Sequence, residues 1–203
     1  MGKGSSRVSQ AGRRERLAQE AARLMIEHGI ADFRLAKRKA AARLALSGSG
    51  DLPTNAQIEA CLVERQRIFE PQVHDNRVQI LRRLALDAMS ELADFEPRLV
   101  GSVLAGTATI NSSIELHLFA ASAELVAACL QRSGRVFSIC QRRYRFSGAR
   151  HDTVPGFRLF LDGARVYLIV FPEKGVREAP LSPVDQRPMA RAGRSRVMTL
   201  LED

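Results

Sequence analysis

Apolar positions recur at helical spacing through the first half of the chain. Leu17, Ala21, Leu24, Met25 and His28 share one side of a predicted helix over residues 10–28, and Gly29 follows as a residue able to take the left-handed conformation that closes it. Asp32 stands as an N-cap for a second helix, with Leu35, Ala36, Ala40 and Leu44 on its apolar side and Arg34, Lys37, Arg38, Lys39 and Arg43 on the other. The run SGSGDLP, residues 47–53, stops it. Thr54 and Gln57 form a capping-box pattern ahead of Ile58, Cys61, Leu62, Arg65 and Phe69, a third helix that Pro71 closes. Val78, Leu81, Ala85, Ala88, Leu92 and Phe95 mark a fourth, stopped by Pro97. Each is too short to be stable alone in water, so each must pack on another element.

At residue 97 the pattern changes period. Segments 98–104, 114–119, 136–146, 157–161 and 165–171 are rich in β-branched and aromatic residues and read as strands. Asp162-Gly163 between the last two is a two-residue hairpin signal, because that turn needs positive φ at both central positions. Between the second and third strands, Ser122 is placed to cap a helix that runs through Arg132 and ends at Gly134. Beyond Phe171 the chain is punctuated by proline and reads as extended, with a short helix near residues 193–201. The predicted fold class is α+β: a helical N-terminal region over residues 1–96, a small mixed sheet with helices packed against it over 97–172, and a C-terminal tail over 173–203.

Composition narrows the class. With 203 residues the chain has room for one domain with an appendage or for two small ones, and 45% apolar against 26% charged residues excludes intrinsic disorder. No apolar run approaches the roughly 20 residues that cross a bilayer, and the basic N-terminus has no apolar stretch behind it, so a cytoplasmic protein is expected. Cys61, Cys129 and Cys140 are odd in number and widely spaced, which argues against a disulfide framework or a zinc pair and for small buried hydrophobes. The net charge of +9 suits an anionic partner, and it is uneven: residues 1–49 carry +7, residues 50–96 carry −4 and residues 97–203 carry +6.

The stretch LVGSVLAGTATINSSIELHLF, residues 99–119, carries the most chemistry. It resembles the signature of the nucleotidyltransferase superfamily, the polymerase-beta-like fold, in which a Gly-Ser turn closes a first strand and a Ser-Asp-x-Asp segment opens a second. Gly101 and Ser102 match the turn, Gly106 the small residue beyond it, and Ser112 the serine before the first aspartate; Ser113 stands in the place of that aspartate and Glu115 in the place of the next. The third carboxylate of the family falls on the 165–171 strand, where Tyr167 occupies its position. More narrowly, the whole chain resembles a proteobacterial group of nucleotidyltransferase-like proteins in its basic N-terminal helices, its IxLHLF strand and its APLSPVDxRPM tail. The resemblance implies a nucleoside triphosphate held by Gly101, Ser102, Ser112, Ser113 and His117. It also implies Mg²⁺ as cofactor, with Glu115 as the catalytic and metal-binding residue. One carboxylate of three cannot hold two Mg²⁺ in octahedral geometry, so the leading expectation is a regulator with a degenerate metal site that binds nucleotide or associates with nucleic acid. An active transferase moving a nucleoside monophosphate to a hydroxyl acceptor, and a protein-interaction module without ligand, remain the alternatives.

Three further clusters bear on partners. Glu115 and His117 are two apart on a strand and share a face; they are either a surviving site or simply the wet side of a half-buried strand. Arg142, Arg143 and Arg145 lie on the third strand beside Tyr144, a base-stacking candidate, with Arg143 and Arg145 on one face and Arg142 on the other. They read either as phosphate contacts or as an edge strand defended by charge. Lys37, Arg38, Lys39 and Arg43 are the nucleic-acid candidates, expected to line one side of the second helix. The partner of an interaction module is not specified by the sequence.

Overall fold

Small side chains let the N-terminal helices approach closely. The computed structural model describes residues 4–45, 52–69 and 71–202, so most of the SGSGDLP turn lies outside the described residues. Helices α1 (Gly4–His28), α2 (Phe33–Arg43) and α3 (Asn55–Phe69) form the first of two units, which runs to His74 and includes residues 109–111 and 183–185. Its core is built from Leu17, Ala21, Leu24 and Met25 of α1, Ala36 and Ala40 of α2, and Ile58 and Leu62 of α3. The caps follow the sequence: Gly29 has φ 64°, and the Leu35 N–H donates to the Asp32 carboxylate at 2.9 Å. The Thr54 N–H donates to Gln57 Oε1 at 2.8 Å, while the Gln57 N–H donates to Thr54 Oγ1 at 3.1 Å. Asp32→Ala removes the acceptor for one orphan amide of α2 and is expected to cost about 1 kcal/mol, read as a lower midpoint in a far-UV circular dichroism melt.

The second unit starts at Asp75, so residues 75–96 group with the sheet rather than with the preceding helices, and so does most of the tail. Pro71 opens helix α4 (Pro71–Glu91), a position where its missing N–H is not needed. The helix ends before Phe95, which lies in a short 3₁₀ turn over Ala93–Phe95, and Glu96 at φ 44° then swings the chain into strand β1 (Arg98–Val100). The expected strand to residue 104 is cut short: Gly101 at φ 71° leaves the extended region, and Gly101–Ala105 wind into a single helical turn, α5.

Strand β2 (Ile114–Phe119), helix α6 (Ala123–Arg132), and strands β3 (Phe137–Arg145), β4 (His151–Leu161) and β5 (Ala164–Phe171) complete the sheet. Its order is β1-β2-β5-β4-β3; β2 and β5 are parallel and the other neighbours antiparallel. Asp162 and Gly163 have φ 46° and 81°, as the β4–β5 hairpin requires. Ser122 occupies the N-cap of α6 without a side-chain capping bond, a difference from expectation. β4 begins six residues before the predicted strand because Pro155-Gly156 masks its first half. The tail is less extended than predicted at its start, where it forms a 3₁₀ turn over Glu173–Arg177; it then bridges Leu99 at Ala192 and ends in the expected helix, α7 (Arg194–Glu202).

Alternation along the strands gives the sheet two unlike faces. Ile114, Leu116, Leu118, Leu159, Val166, Leu168 and Val170 meet Leu81, Ala85 and Ala88 of α4, Val126 and Leu130 of α6, and Val197 of α7 in the main core. Arg82 ties α4 to the ends of α5 and α7 by donating to the carbonyls of Val103, Leu104 and Leu200 at 3.2, 3.2 and 2.9 Å. Among the described residues no helix is long and apolar enough to cross a membrane. The three cysteines are free thiols and only partly buried, a correction to the expectation of core positions.

Candidate functional site

The second sheet face collects the polar residues. Glu115, His117 and Phe119 of β2 lie beside Tyr167, Ile169 and Phe171 of β5 in strict register. β3 is three strands away from β2 in the sheet, about 14 Å at ordinary strand spacing, yet the Tyr144 hydroxyl donates to Glu115 Oε1 at 2.6 Å. The β3–β4 arm must therefore curl over this face. Pro155 explains where: it has no N–H for the ladder, β4 pairs with β5 only from Gly156 onward, and the free arm carries Tyr144, Phe146 and Val154 onto Phe119, Ile169 and Phe171. Gly156 permits the close approach, since a Cβ there would lie 2.5 Å from the Leu168 carbonyl oxygen.

A directed hydrogen-bond chain runs through this second core. Arg191 of the tail donates from Nε to His117 Nδ1 at 3.1 Å and from Nη1 to the carbonyls of Gly175 and Glu178 at 2.8 and 3.3 Å. With Nδ1 accepting, the neutral imidazole carries its hydrogen on Nε2, which faces the Tyr144 oxygen at 3.3 Å; Tyr144 in turn donates to Glu115. The Arg191 guanidinium also sits 5.0 Å from the Phe119 ring centre and 5.1 Å from that of Phe171.

Burial tunes each member. His117 is fully buried, at 0% exposure, which overturns the reading of this strand face as wet; burial and the Arg191 charge hold its pKa below the usual histidine value, against the pull of Glu115. Burial would raise the Glu115 carboxyl, but the His117 ring 3.6 Å away and the Tyr144 hydroxyl bond, with Arg142 near, outweigh it and keep the carboxyl below its ordinary value. Burial and the neighbouring carboxylate push the Tyr144 phenol well up, so it stays a donor. Glu115 itself remains 24% exposed.

The nucleotide candidates lie along one side of this cluster. Val100 pairs with Glu115 across β1 and β2, so the exposed Gly101 and the half-buried Ser102 follow directly beside the carboxylate, and nothing lies within 4 Å of a Cβ built on Gly101. Ser112 and Ser113 are half-buried in the turn leading into β2. Arg142 stacks over the Tyr167 ring at 4.3 Å. Tyr144, expected to stack on a base, is instead spent on Glu115. Arg191 was invisible to sequence reasoning, since its partner lies 74 residues away and the tail has no periodic pattern.

The donors here do not fit a pair of Mg²⁺ ions. Glu115 Oε1 already receives the Tyr144 hydroxyl, its register partner is a tyrosine, and its neighbours Arg142 and His117 are nitrogen donors rather than hard oxygen ligands. Among the described residues no group of three or more His, Cys, Asp or Glu side chains is placed to hold a metal.

The basic helix belongs to the other unit. Ala36 and Ala40 mark the buried side of α2, and 100° per residue then puts Lys37 and Lys39 on opposite flanks, with Arg34 and Arg38 facing outward. The cations thus surround the helix rather than line one side. Lys37 is half-buried, which lowers its pKa, and Arg43 lies 3.4 Å from the Glu20 carboxylate. No family model matches the chain, and no curated protein matches it.

Proposed function

We propose that this chain is a nucleotidyltransferase-like protein that binds a nucleoside triphosphate at the Gly101-Ser102 turn beside Glu115 without the two-metal transfer step, as a nucleotide-binding or nucleic-acid-associated regulator. The register of β2 and β5 carries the reading: Glu115 and Tyr167, at two of the three positions where the superfamily resemblance calls for carboxylates, are direct partners beside the turn that begins at Gly101. Open space at Gly101 suits phosphate oxygens, and the Arg142 fork beside Tyr167 supplies charge and a ring. Arg34 and Arg38, outward on α2, are the nucleic-acid contacts in this reading. A cytoplasmic setting keeps the three thiols reduced.

Calorimetry of the full chain with ATP and with GTP, each in Mg²⁺ and in EDTA, tests it. The expected result is binding that EDTA leaves unchanged and that Arg142→Gln weakens about tenfold. Binding that requires Mg²⁺ points instead to an active transferase, and no binding of either nucleotide to an interaction module; either outcome removes the proposal.

A further inference from the structure

The last strand of the sheet has an open edge, and its geometry fixes which residues face outward. The Phe146 N–H donates to the Arg150 carbonyl at 2.8 Å, so 146 and 150 are a hydrogen-bonded pair of the β3–β4 hairpin. Pairs then alternate along the ladder, which leaves Arg145, Arg143, Gln141, Ile139 and Phe137 with N–H and C=O groups pointing away from β4. Two observations agree with this parity. Gln141 stands opposite Pro155, a residue with no N–H to exchange, and the Arg145 carbonyl accepts the Leu181 N–H at 2.7 Å from outside the sheet. One end of the edge thus already accepts a backbone hydrogen bond from the tail, while residues 137–143 remain open over about 20 Å at strand rise.

The chemistry of this edge selects an occupant. β3 reads FSICQRRYR, with three arginines and no acid. Ile139 is 79% exposed and Val136, just before the strand, 91%. Pairing with a second copy would bring Arg142, Arg143 and Arg145 of both strands into one ladder with no acid between them, which like-charge repulsion opposes. A nucleic acid would use the charges and leave the carbonyls of the edge unpaired. We propose that the open edge of β3 takes up an extended acidic peptide segment of a partner protein as a sixth strand, its backbone pairing with residues 137–143 and a carboxylate meeting Arg143.

Fluorescence anisotropy with the full chain tests this. The probe is a fluorescein-labelled octapeptide of threonine, valine and glutamate with four glutamates, beside the same peptide carrying N-methyl groups on alternate amides in either phase, and an octauridine strand. The acidic peptide should bind, N-methylation in one phase should weaken it at least tenfold, and N-methylation in the other phase should not. Arg143→Glu should also weaken it at least tenfold. Gln141→Pro removes an outward N–H that has no partner in the sheet and should lower affinity with the fold kept; if it unfolds the chain, the N-methyl comparison on the wild type still decides. No binding of the acidic peptide overturns the proposal. So do equal affinities for the plain and both N-methyl peptides, which would mean charge without strand pairing, and tighter binding of octauridine.

Discussion

Gly156→Ala should unfold the sheet unit more readily than any other single added methyl, at a cost of about 3 kcal/mol. The new Cβ would sit 2.5 Å from the Leu168 carbonyl oxygen, 2.9 Å from Ile169 Cδ1 and 3.3 Å from Ile169 Cα. The first of these is backbone in the strand that pairs with β4 on one side and β2 on the other, so it cannot move aside without opening a ladder. The chain has no Trp, and its two tyrosines, Tyr144 and Tyr167, both lie in this unit, so urea unfolding followed by tyrosine fluorescence reads it selectively. Gly12 supplies the contrast: nothing lies within 4 Å of its Cβ position in α1, and alanine there should stabilise the helix by up to about 1 kcal/mol. A Gly156→Ala midpoint within error of wild type would mean that the β3–β4 arm does not press on β5 as described.

Acidification should weaken the same unit well before its carboxylates protonate. His117 is buried and neutral, with a folded pKa below its unfolded value of about 6.5, so below that pH the unfolded chain binds a proton that the folded one refuses. Stability is therefore fully present above about pH 6.5 and falls toward a limiting slope of about 1.4 kcal/mol per pH unit as the pH drops toward the folded pKa. A proton on Nδ1 would also face the Arg191 Nε–H, losing the bond that ties the tail to the sheet. Glu115, held below its ordinary value, adds its own loss only at lower pH, below about 4.3. Urea midpoints read by tyrosine fluorescence between pH 5 and 7.5 should show the slope in wild type and a nearly flat line in His117→Gln; a flat wild-type profile would contradict a buried neutral imidazole.

Local chemistry was legible in the sequence and nonlocal chemistry was not. Asp32, the Thr54 and Gln57 box, Gly29 and the Asp162-Gly163 turn each act within four residues, so residue type alone fixed them. The pairing of Glu115 with Tyr167 was reached from the family resemblance, not from any spacing. What escaped depends on the curl at Pro155-Gly156, which reads locally as the absence of a strand and in three dimensions delivers Tyr144 to Glu115. For His117 the sequence left open a ligand site or a wet strand face, because strand alternation sees two faces and cannot see that a tail returns to cover one of them. Ala36 and Ala40 face inward as the sequence implies, but at 100° per residue the neighbouring Lys37, Arg38 and Lys39 cannot share one side of α2.

The way the tail closes the sheet sets the order in which this protein can be finished on the ribosome. Leu99 and Ala192 exchange both backbone hydrogen bonds, Val197 fills the main core, and the parallel partner of β2 arrives only with Ala164–Phe171. α1, α2 and α3 meet early, whereas β1 and β2 emerge with Leu99, Ile114, Leu116 and Leu118 uncovered and wait for residues made much later. Contacts between such distant segments fold slowly, and uncovered strands of this kind are what chaperones bind and what aggregates when they do not. A nascent chain stalled between β2 and β5 would thus carry the three N-terminal helices and a sticky half-sheet. The vulnerable period in the life of this protein falls during its own synthesis.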